Sequence, residues 1–309
     1  MKTGETGTAN KSIKCRATMA ALAMVLGSAA AWGQAPAAGP MDAASLMQKN
    51  ADLKNQLAAN PFRRPLVLES SESANTVDGN VYAVLDSSFA DVSRTFKSPE
   101  QWCEVMILHI NTKYCRPDGS TAPTRFKVSI GKKTPQQLGD AFGLDFGYEL
   151  VSTSTSYLSV LLSASKGPLG TSNYKIELQA VPLPENRTFM RLRYAYGYGV
   201  ASKVAMQGYL ATIGAGKVGF TQMNEGQKTA YIGGMRGAAE RNIMRYYLAI
   251  EAYQSSLTKP AAERLDARLK HWFDATEEYS RQLHEVDKAS YLAMKKDEHQ
   301  RQQSAQPQN

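Results

Sequence analysis

The chain has 309 residues, of which 43% are hydrophobic and 21% charged, and its formal net charge is +8 at pH 7. Lys and Arg are scattered among acidic residues and form no basic stripe with interleaved aromatics, which argues against a nucleic-acid-binding protein. Beyond the N-terminal region, no stretch approaches the roughly 20 consecutive apolar residues of a membrane-spanning helix. The positive net charge is compatible with a transient contact with an anionic membrane surface.

Residues 1–35 have the pattern of a cleavable secretory signal peptide. Basic residues precede an uncharged run, residues 17–32, that is too short to span a bilayer comfortably. Small residues before the end of the segment predict cleavage after Ala35. The alternative is an apolar N-terminal core helix, but Ala, Pro and Gly follow and nothing amphipathic continues it. We therefore expect a periplasmic or secreted protein.

Removal of this segment leaves Cys103 and Cys115 as the only cysteines. An even pair in an exported protein predicts a disulfide bond. The alternative, two thiols that bind a metal, lacks ligands, since His109 is the only histidine between them. The sequence therefore predicts a disulfide and gives no sign of a metal or cofactor.

The region before residue 77 is predicted to be mostly linker. Residues 36–76 contain one short amphipathic helix, Met41 to Ala58, whose Leu46, Leu53 and Leu57 can dock on the body or on a partner. Two prolines end this helix.

A mixed region follows, with one strand and two short helices. Residues 77–85 read as a strand and residues 88–96 as a helix. Ser98 and Pro99 have the pattern of an N-cap and a first helical turn, which predicts a second helix to about residue 108.

A run of strands comes next, and each alternates between apolar and polar residues. The segments are residues 124–130, 157–164, 174–180 and 189–198. This period of two predicts an antiparallel sheet that is buried on one face. In the last segment Met190, Leu192, Tyr194, Tyr196 and Tyr198 share one face.

Residues 200–233 are rich in glycine, and Gly233 and Gly234 then open a helix that carries Arg236 and Arg241 in its first turns. Arginines at a helix N-terminus can hold an anionic head group. The alternative is a solvated helix face on which Arg236 pairs with Glu240 four residues on. Residues 214–219 match the G-x-G-x-x-G string, but no βαβ unit surrounds them, so a nucleotide site is not expected.

The last third is predicted to be helical. Apolar residues recur at helical spacing over residues 239–257 and 265–286, separated by Pro260. Two matched stripes with a short connection predict a helical hairpin, in which residues 258–294 form an appended helix. Residues 295–309 are polar and are expected to be disordered.

This order of elements resembles the helix-grip arrangement of the START-like (SRPBCC) superfamily, which includes START lipid-transfer domains, Bet v 1 allergens and polyketide cyclases. The resemblance covers residues 77–257. It implies an α+β fold in which a curved antiparallel sheet grips a long C-terminal helix, with a ligand cavity between them. The glycine-rich insertion, residues 200–233, and the appended helix depart from the family pattern.

We expect an exported carrier that binds a hydrophobic molecule, such as a lipid, a sterol or a polycyclic aromatic, between sheet and helix. Tyrosines offer flat apolar rings with a polar tip, which suits such a ligand. The candidate ligand-binding residues are Met190, Leu192, Tyr194, Tyr196, Tyr198, Arg236, Arg241 and Tyr246. An ordinary packed core is the competing interpretation of the same residues.

Two other functional classes stay open. One is a cyclase- or hydrolase-like enzyme on the same scaffold, which needs an inward titratable pair within hydrogen-bond reach. No catalytic residue can be named, because the serines lack the G-x-S-x-G elbow. The other is an interaction module that uses the helical hairpin without a ligand. The oligomeric state does not follow from the sequence.

Overall fold

The structure is a computed structural model that describes residues 41–118, 124–212, 214–225 and 228–304. The predicted signal peptide and its cleavage site lie outside the described residues. Within the described part of the chain, no helix has the length and apolar character needed to cross a membrane.

One large sheet organises the molecule. Its strands are β1 (Leu66–Glu72), β2 (Thr76–Leu85), β3 (Thr112–Asp118), β4 (Arg125–Ile130), β5 (Phe142–Thr153), β6 (Leu158–Lys166), β7 (Ser172–Leu183) and β8 (Arg187–Gly197). Their spatial order is β1-β2-β8-β7-β6-β5-β4-β3, and every neighbouring pair is antiparallel. The strands β3 to β8 form a continuous meander, and β2 closes the sheet by pairing with its last strand.

Helices cover both faces of this sheet. They are α1 (Ala43–Asp52), α2 (Lys54–Ala58), α3 (Phe89–Phe96), α4 (Pro99–Met106), α5 (Val200–Ala211), α6 (Gly234–Ser256), α7 (Arg264–Glu277), α8 (Ser280–Leu283) and α9 (Lys288–Gln303). A two-stranded hairpin, β9 (Gln222–Glu225) and β10 (Lys228–Tyr231), lies between α5 and α6 in the chain.

The long helix α6 packs against β1, β2 and β8, and α3 and α4 connect β2 to the far edge of the sheet. The main core lies between sheet and helix, and the alternate residues of β8 from Met190 to Tyr196 all face it, as does Tyr198 just after the strand. This is the predicted α+β helix-grip fold, which is therefore confirmed. α7 packs on α6, with Arg268 contacting Ser256 and Trp272 contacting Arg245.

The two short helices begin as their sequences predict. The Ser88 hydroxyl accepts a hydrogen bond from the Asp91 backbone N–H at 3.1 Å, and Ser98 caps α4 in the same way. Cys103 on α4 and Cys115 on β3 are joined by a disulfide, with Cα atoms 5.1 Å apart. The crossover is thereby tied to the edge of the sheet.

The helices α1 and α2 lie on the outer face of the sheet. Leu46, Leu53 and Leu57 bury their side chains in a second, smaller apolar cluster with Tyr157 and Phe189. These leucines therefore dock on the body of the molecule.

The prediction of a linker up to residue 76 is wrong for β1. This strand adds one member to the edge of the sheet and pairs with β2 from Leu66 opposite Ala83 to Glu72 opposite Val77. Only the first residues of β1 are apolar. An edge strand is held mainly by backbone hydrogen bonds, so its side chains can be polar and its sequence resembles that of a loop. β3 and β5 were also not among the predicted strands.

The predicted appended helix over residues 258–294 is in fact three helices, α7, α8 and α9. The prediction of a disordered tail is wrong for residues 295–303, which belong to α9. Asp287 caps this helix by accepting from the Ser290 backbone N–H at 2.9 Å. The helix is ordered because it buries Tyr291, whose hydroxyl donates to the Leu108 carbonyl at 2.8 Å.

Candidate functional site

The first half of α6 is held against the insertion by a close glycine contact and a buried carboxylate. A Cβ on Gly237 would lie 2.7 Å from the Ile232 carbonyl oxygen, so only glycine allows this approach. Glu240 is fully buried and accepts from the backbone N–H groups of Phe220 at 2.5 Å and Thr221 at 2.9 Å. Glu240 therefore fixes the end of the insertion on the helix.

Arg236 lies away from the sheet-helix interior. Its Nε donates to the Ser70 hydroxyl at 2.7 Å and lies 3.8 Å from Glu240. The ion pair of Arg236 with Glu240 is thus present, but the face is not solvated as that alternative expected, because Glu240 is fully buried. The structure does not bring Arg236 together with the other candidate residues.

Four tyrosine rings form a continuous cluster between β7, β8 and α6, which we call the tyrosine cluster: Tyr174, Tyr194, Tyr196 and Tyr246. Their ring centroids lie 5.3 Å apart between Tyr174 and Tyr196, and 5.9 Å apart between Tyr194 and Tyr246. All four are at most 9% exposed. Burial raises the pKa of Tyr194 well above its usual value, so its phenol is neutral and can donate at any physiological pH.

The remaining candidates on β8 lie on either side of the tyrosine cluster. Met190 and Leu192 are opposite Ala180 and Leu178 of β7, and both are part of the packed core. Tyr198 lies at the other end, where its hydroxyl donates to Glu72 Oε1 and to the Ser73 carbonyl, each at 3.0 Å. Burial and Glu72 raise the pKa of Tyr198 to about 12.

Arg241 lies inside the molecule at the tyrosine end, and it is 6% exposed. Tyr196 and Tyr209 lie within electrostatic range of its guanidinium. Burial and the positive charge of Arg245 lower the pKa of Arg241 to about 10, so it is still a cation at neutral pH. The structure thus brings Arg241 close to Tyr196, which contacts Tyr194 and, through Tyr194, connects to Tyr246.

Sequence reasoning missed Arg245 and His109. Arg245 is 2% exposed and bonds Glu285 at 2.6 Å. The His109 ring stacks on Tyr246 with centroids 4.6 Å apart, and burial together with Arg245 lowers the pKa of His109 well below its usual value. One signal was available, since Arg245 follows Arg241 by four residues and therefore shares its helix face.

The helix α5 covers this end of the interior. Met206 and Leu210 pack against the core, and the Ser202 hydroxyl donates to the Gly170 carbonyl at 2.5 Å. The other side of the helix is apolar and open, with Val200 85% exposed and Val204 64% exposed. Leu169, next to Gly170, is also exposed.

Two open cavities lie elsewhere, near the C-terminal end of α6. One has a volume of about 890 Å³ and is lined by α3, α4 and residues such as Gln254 and Arg264. The other, of about 540 Å³, lies beside the disulfide and α9. None of the eight predicted ligand-binding residues lines either cavity. Among the described residues, no group of three or more His, Cys, Asp or Glu side chains is placed to hold a metal ion.

The strand order, the crossover helices and the gripped helix define a protein of START-like, helix-grip architecture. No family model matches the chain, and no curated protein matches it. Among solved structures, human StAR-related lipid transfer protein 5 is similar at 9% identity with a TM-score of 0.36, covering 70% of this chain and 98% of that one.

Two further solved structures are similar at the same level. A point mutant of norcoclaurine synthase from Thalictrum flavum is 15% identical with a TM-score of 0.33, covering 46% of this chain and 92% of that one. A conserved protein from Geobacillus kaustophilus is 15% identical with a TM-score of 0.29, covering 44% and 86%. Similarity this low supports no conclusion about ligand or activity.

Proposed function

We propose that this chain is an exported carrier that holds one hydrophobic molecule between α6 and the inner face of β7 and β8, at the tyrosine cluster. The observation that carries the proposal is the cluster of four buried tyrosine rings between the sheet and α6. The same helix also buries Arg241. Flat rings supply apolar area, at about 25 cal/mol per Å² buried, and their hydroxyls orient a polar end.

Entry to this interior requires a movement, because α5 covers it. The helix is attached through Ser202 and Gly170 and through the packing of Met206 and Leu210. Lifting α5 would expose Arg241, which lies within electrostatic range of Tyr209 on α5 and of Tyr196. We infer that α5 acts as the cover of the ligand site, in the manner of other mobile helices and loops over binding sites.

The outer surface of this cover fits a membrane. Val200, Val204 and Leu169 expose apolar side chains, and Lys166 and Lys203 are exposed beside them. Apolar residues flanked by lysines favour a lipid surface with anionic head groups. A transient contact there would place the entrance against the source of a hydrophobic ligand.

The compartment is part of the proposal. The predicted signal peptide and the Cys103–Cys115 disulfide both fit a periplasmic or secreted location, because such bonds persist in oxidising compartments. Fractionation of host cells, with non-reducing and reducing electrophoresis of each fraction, tests this. A full-length, reduced protein in the cytoplasmic fraction would refute export.

The first test of function is native mass spectrometry of protein purified from its own host, followed by organic extraction. A stoichiometric hydrophobic molecule is the expected result. In parallel, protein stripped of ligand should bind the neutral fluorescent probe N-phenyl-1-naphthylamine at one site. Protein that is empty and takes up no probe would refute the carrier function.

The role of α5 can be tested with an engineered disulfide. A Cβ on Gly170 would lie 3.8 Å from Ser202 Cβ, which matches the mean spacing in disulfides. Gly170→Cys with Ser202→Cys, in a Cys103→Ala/Cys115→Ala background, should take up the probe at least about tenfold more slowly when oxidised. Gly170 has a φ of 74°, so each single Cys variant serves as the control for strain. Equal rates before and after reduction would exclude α5 as the cover.

A further inference from the structure

Three buried hydrogen-bond donors at the tyrosine end meet no acceptor. They are Arg241 Nη1, Arg245 Nε and His109 Nε2, and none has a hydrogen-bond partner among the described residues. Each of these side chains is at most 6% exposed. A buried donor without an acceptor is destabilising, so three of them in one place point to an acceptor supplied from outside the chain.

The protonation of His109 follows from its contacts. His109 Nδ1 accepts a hydrogen bond from the Asn111 backbone N–H at 3.2 Å. A neutral imidazole whose Nδ1 accepts carries its proton on Nε2. The Asn242 side chain lies beside this ring and favours its protonated form, but Nε2 has no partner in full hydrogen-bond geometry among the described residues. His109 Nε2 is therefore a donor that faces the interior.

The charges around these donors do not balance. Glu285 accepts from Arg245 at 2.6 Å and lies 2.6 Å from Lys133 Nζ and 3.3 Å from Lys217 Nζ. Arg241 adds a fourth cation within electrostatic range of the same carboxylate. The side chains of Lys133 and Lys217 are 20% and 25% exposed, so water screens them, whereas Arg241 and Arg245 are buried. One carboxylate cannot neutralise both buried guanidinium groups, and positive charge kept out of water needs a counter-charge.

We propose that Arg241, Arg245 and His109 bind the carboxylate of a hydrophobic acid whose apolar part lies on the tyrosine cluster. The inference rests on the proposed carrier function and names the class of its ligand. Arg241 and Arg245 are one helical turn apart on α6, and His109 packs on the ring of Tyr246. The donors and the rings therefore lie next to each other, as the two ends of such a molecule require.

A carboxylate fits better than a phosphate. It brings one negative charge and two oxygens, which match a small number of guanidinium and imidazole donors. A phosphate monoester brings a charge of about −1.5 to −2 and three strong acceptor oxygens, which calls for more donors than three. A neutral alcohol or sterol would add no counter-charge to that of Glu285.

The test compares matched ligands on the full protein after removal of any bound molecule. Hexadecanoate, hexadecanol and hexadecyl phosphate are each titrated by displacement of N-phenyl-1-naphthylamine. We expect hexadecanoate to bind at least about tenfold more tightly than hexadecanol, the ratio set by one charge-assisted hydrogen bond. Arg241→Gln should remove this preference, so that hexadecanoate and hexadecanol bind with similar affinity.

Two variants keep the test sharp. Arg281→Gln removes an exposed arginine that lies over the Tyr231 ring, and it should keep the preference. Arg241→Lys keeps the charge but loses the planar fork, so it should keep part of the preference even if Arg241→Gln folds poorly.

The outcomes separate the two proposals. If none of the three ligands binds, the carrier function fails. If hexadecanol binds as well as hexadecanoate, the carrier function stands and the carboxylate site is refuted. Tighter binding of hexadecyl phosphate than of hexadecanoate would overturn the ligand class.

Discussion

Two regions of this molecule bury positive charge, and they treat it in opposite ways. In the first, the lysine cluster, Lys113 and Lys295 share the carboxylate of Glu298 at 2.8 and 2.7 Å. In the second, the arginine end, Arg241, Arg245 and His109 each keep a donor without an acceptor. The lysine, arginine and histidine side chains of both regions are at most 6% exposed.

The two regions differ in whether the hydrogen-bond donors of their buried side chains have acceptors. Lys295 Nζ donates to the His109 and Thr112 carbonyls as well as to Glu298, at 2.8, 2.7 and 2.7 Å, and this uses all three of its hydrogens. Lys113 is satisfied in the same way. The complete network of the lysine cluster holds α9 on the body. The unpaired donors of the arginine end are what we expect of a binding site without its ligand.

The largest effect should come from breaking the lysine cluster. Glu298→Gln removes the one carboxylate between two buried lysines and should lower the free energy of unfolding by about 3 to 5 kcal/mol. Asp274→Asn is the matched control, because its pair with Lys288 is exposed and should contribute about 1 kcal/mol or less. Urea unfolding measures both. Equal losses of stability in the two variants would mean that burial does not make the ion pairs of Glu298 stronger than that of Asp274.

The next effect concerns the disulfide that tethers the strand of the lysine cluster. The bond closes a loop of 12 residues, so Cys103→Ala/Cys115→Ala should lower stability by about 3 kcal/mol. Hydrogen exchange should show faster exchange in β3 and α4 and no change in the first half of α6. Faster exchange at the arginine end instead would show that the two regions are one cooperative unit.

A smaller effect should appear on acidification, through His109. Because its folded pKa lies well below the unfolded value, the unfolded state binds more protons below about pH 6.5. Stability is therefore full above that pH and is lost as the pH falls below it. Arg245, Lys295 and Lys133 face this ring and act in the same direction.

The slope of stability against pH is the readout for His109. His109→Asn should flatten it between pH 6.5 and 5. Glu251 acts in the opposite sense, since burial raises its pKa and it gains protons on folding. An unchanged slope in His109→Asn would contradict the assignment.

The smallest effect should come from Arg241, and its sign should be opposite to that of the matched change at Lys295. Arg241→Met removes a buried cation with an unpaired donor and should raise the stability of the ligand-free protein by about 1 kcal/mol. Lys295→Met strands the His109 and Thr112 carbonyls and should lower it by about 2 kcal/mol. Thermal unfolding of both variants checks this. A loss of stability in Arg241→Met would show that the arginine is structural.

The elements with simple periodicity were predictable. The alternation along β8 and the N-caps of Ser88 and Ser98 follow from local chemistry, and both are present. The tail was misread because Lys295 and Glu298 are polar in sequence, whereas in the fold each neutralises the other inside the protein. Burial of paired charge depends on tertiary contacts that no local pattern reveals.

The candidate site was predictable only in part. The tyrosines of β8 and Arg241 come together as their faces predict, because strand and helix periods fix which residues point inward. His109 reaches the same place from the crossover after α4, and nothing in its neighbourhood in the sequence indicates this. Met190 was assigned to the site because it shares the inner face of its strand, and Arg236 because it lies at the start of a helix. The fold places Met190 in the packed core and Arg236 beside β1.

The pairing of β2 with β8 has a consequence for how the protein folds. Leu85 is opposite Thr188 and Thr76 is opposite Gly197, so the closing ladder joins segments roughly 100 residues apart. The meander between them can form from local hairpins. However, β2 cannot join the sheet, and α6 has no complete sheet surface to pack on, until β8 is available. Such distant contacts slow folding toward the millisecond-to-second range typical of β-rich topologies. A nascent chain would thus stay open until most of it had been synthesised.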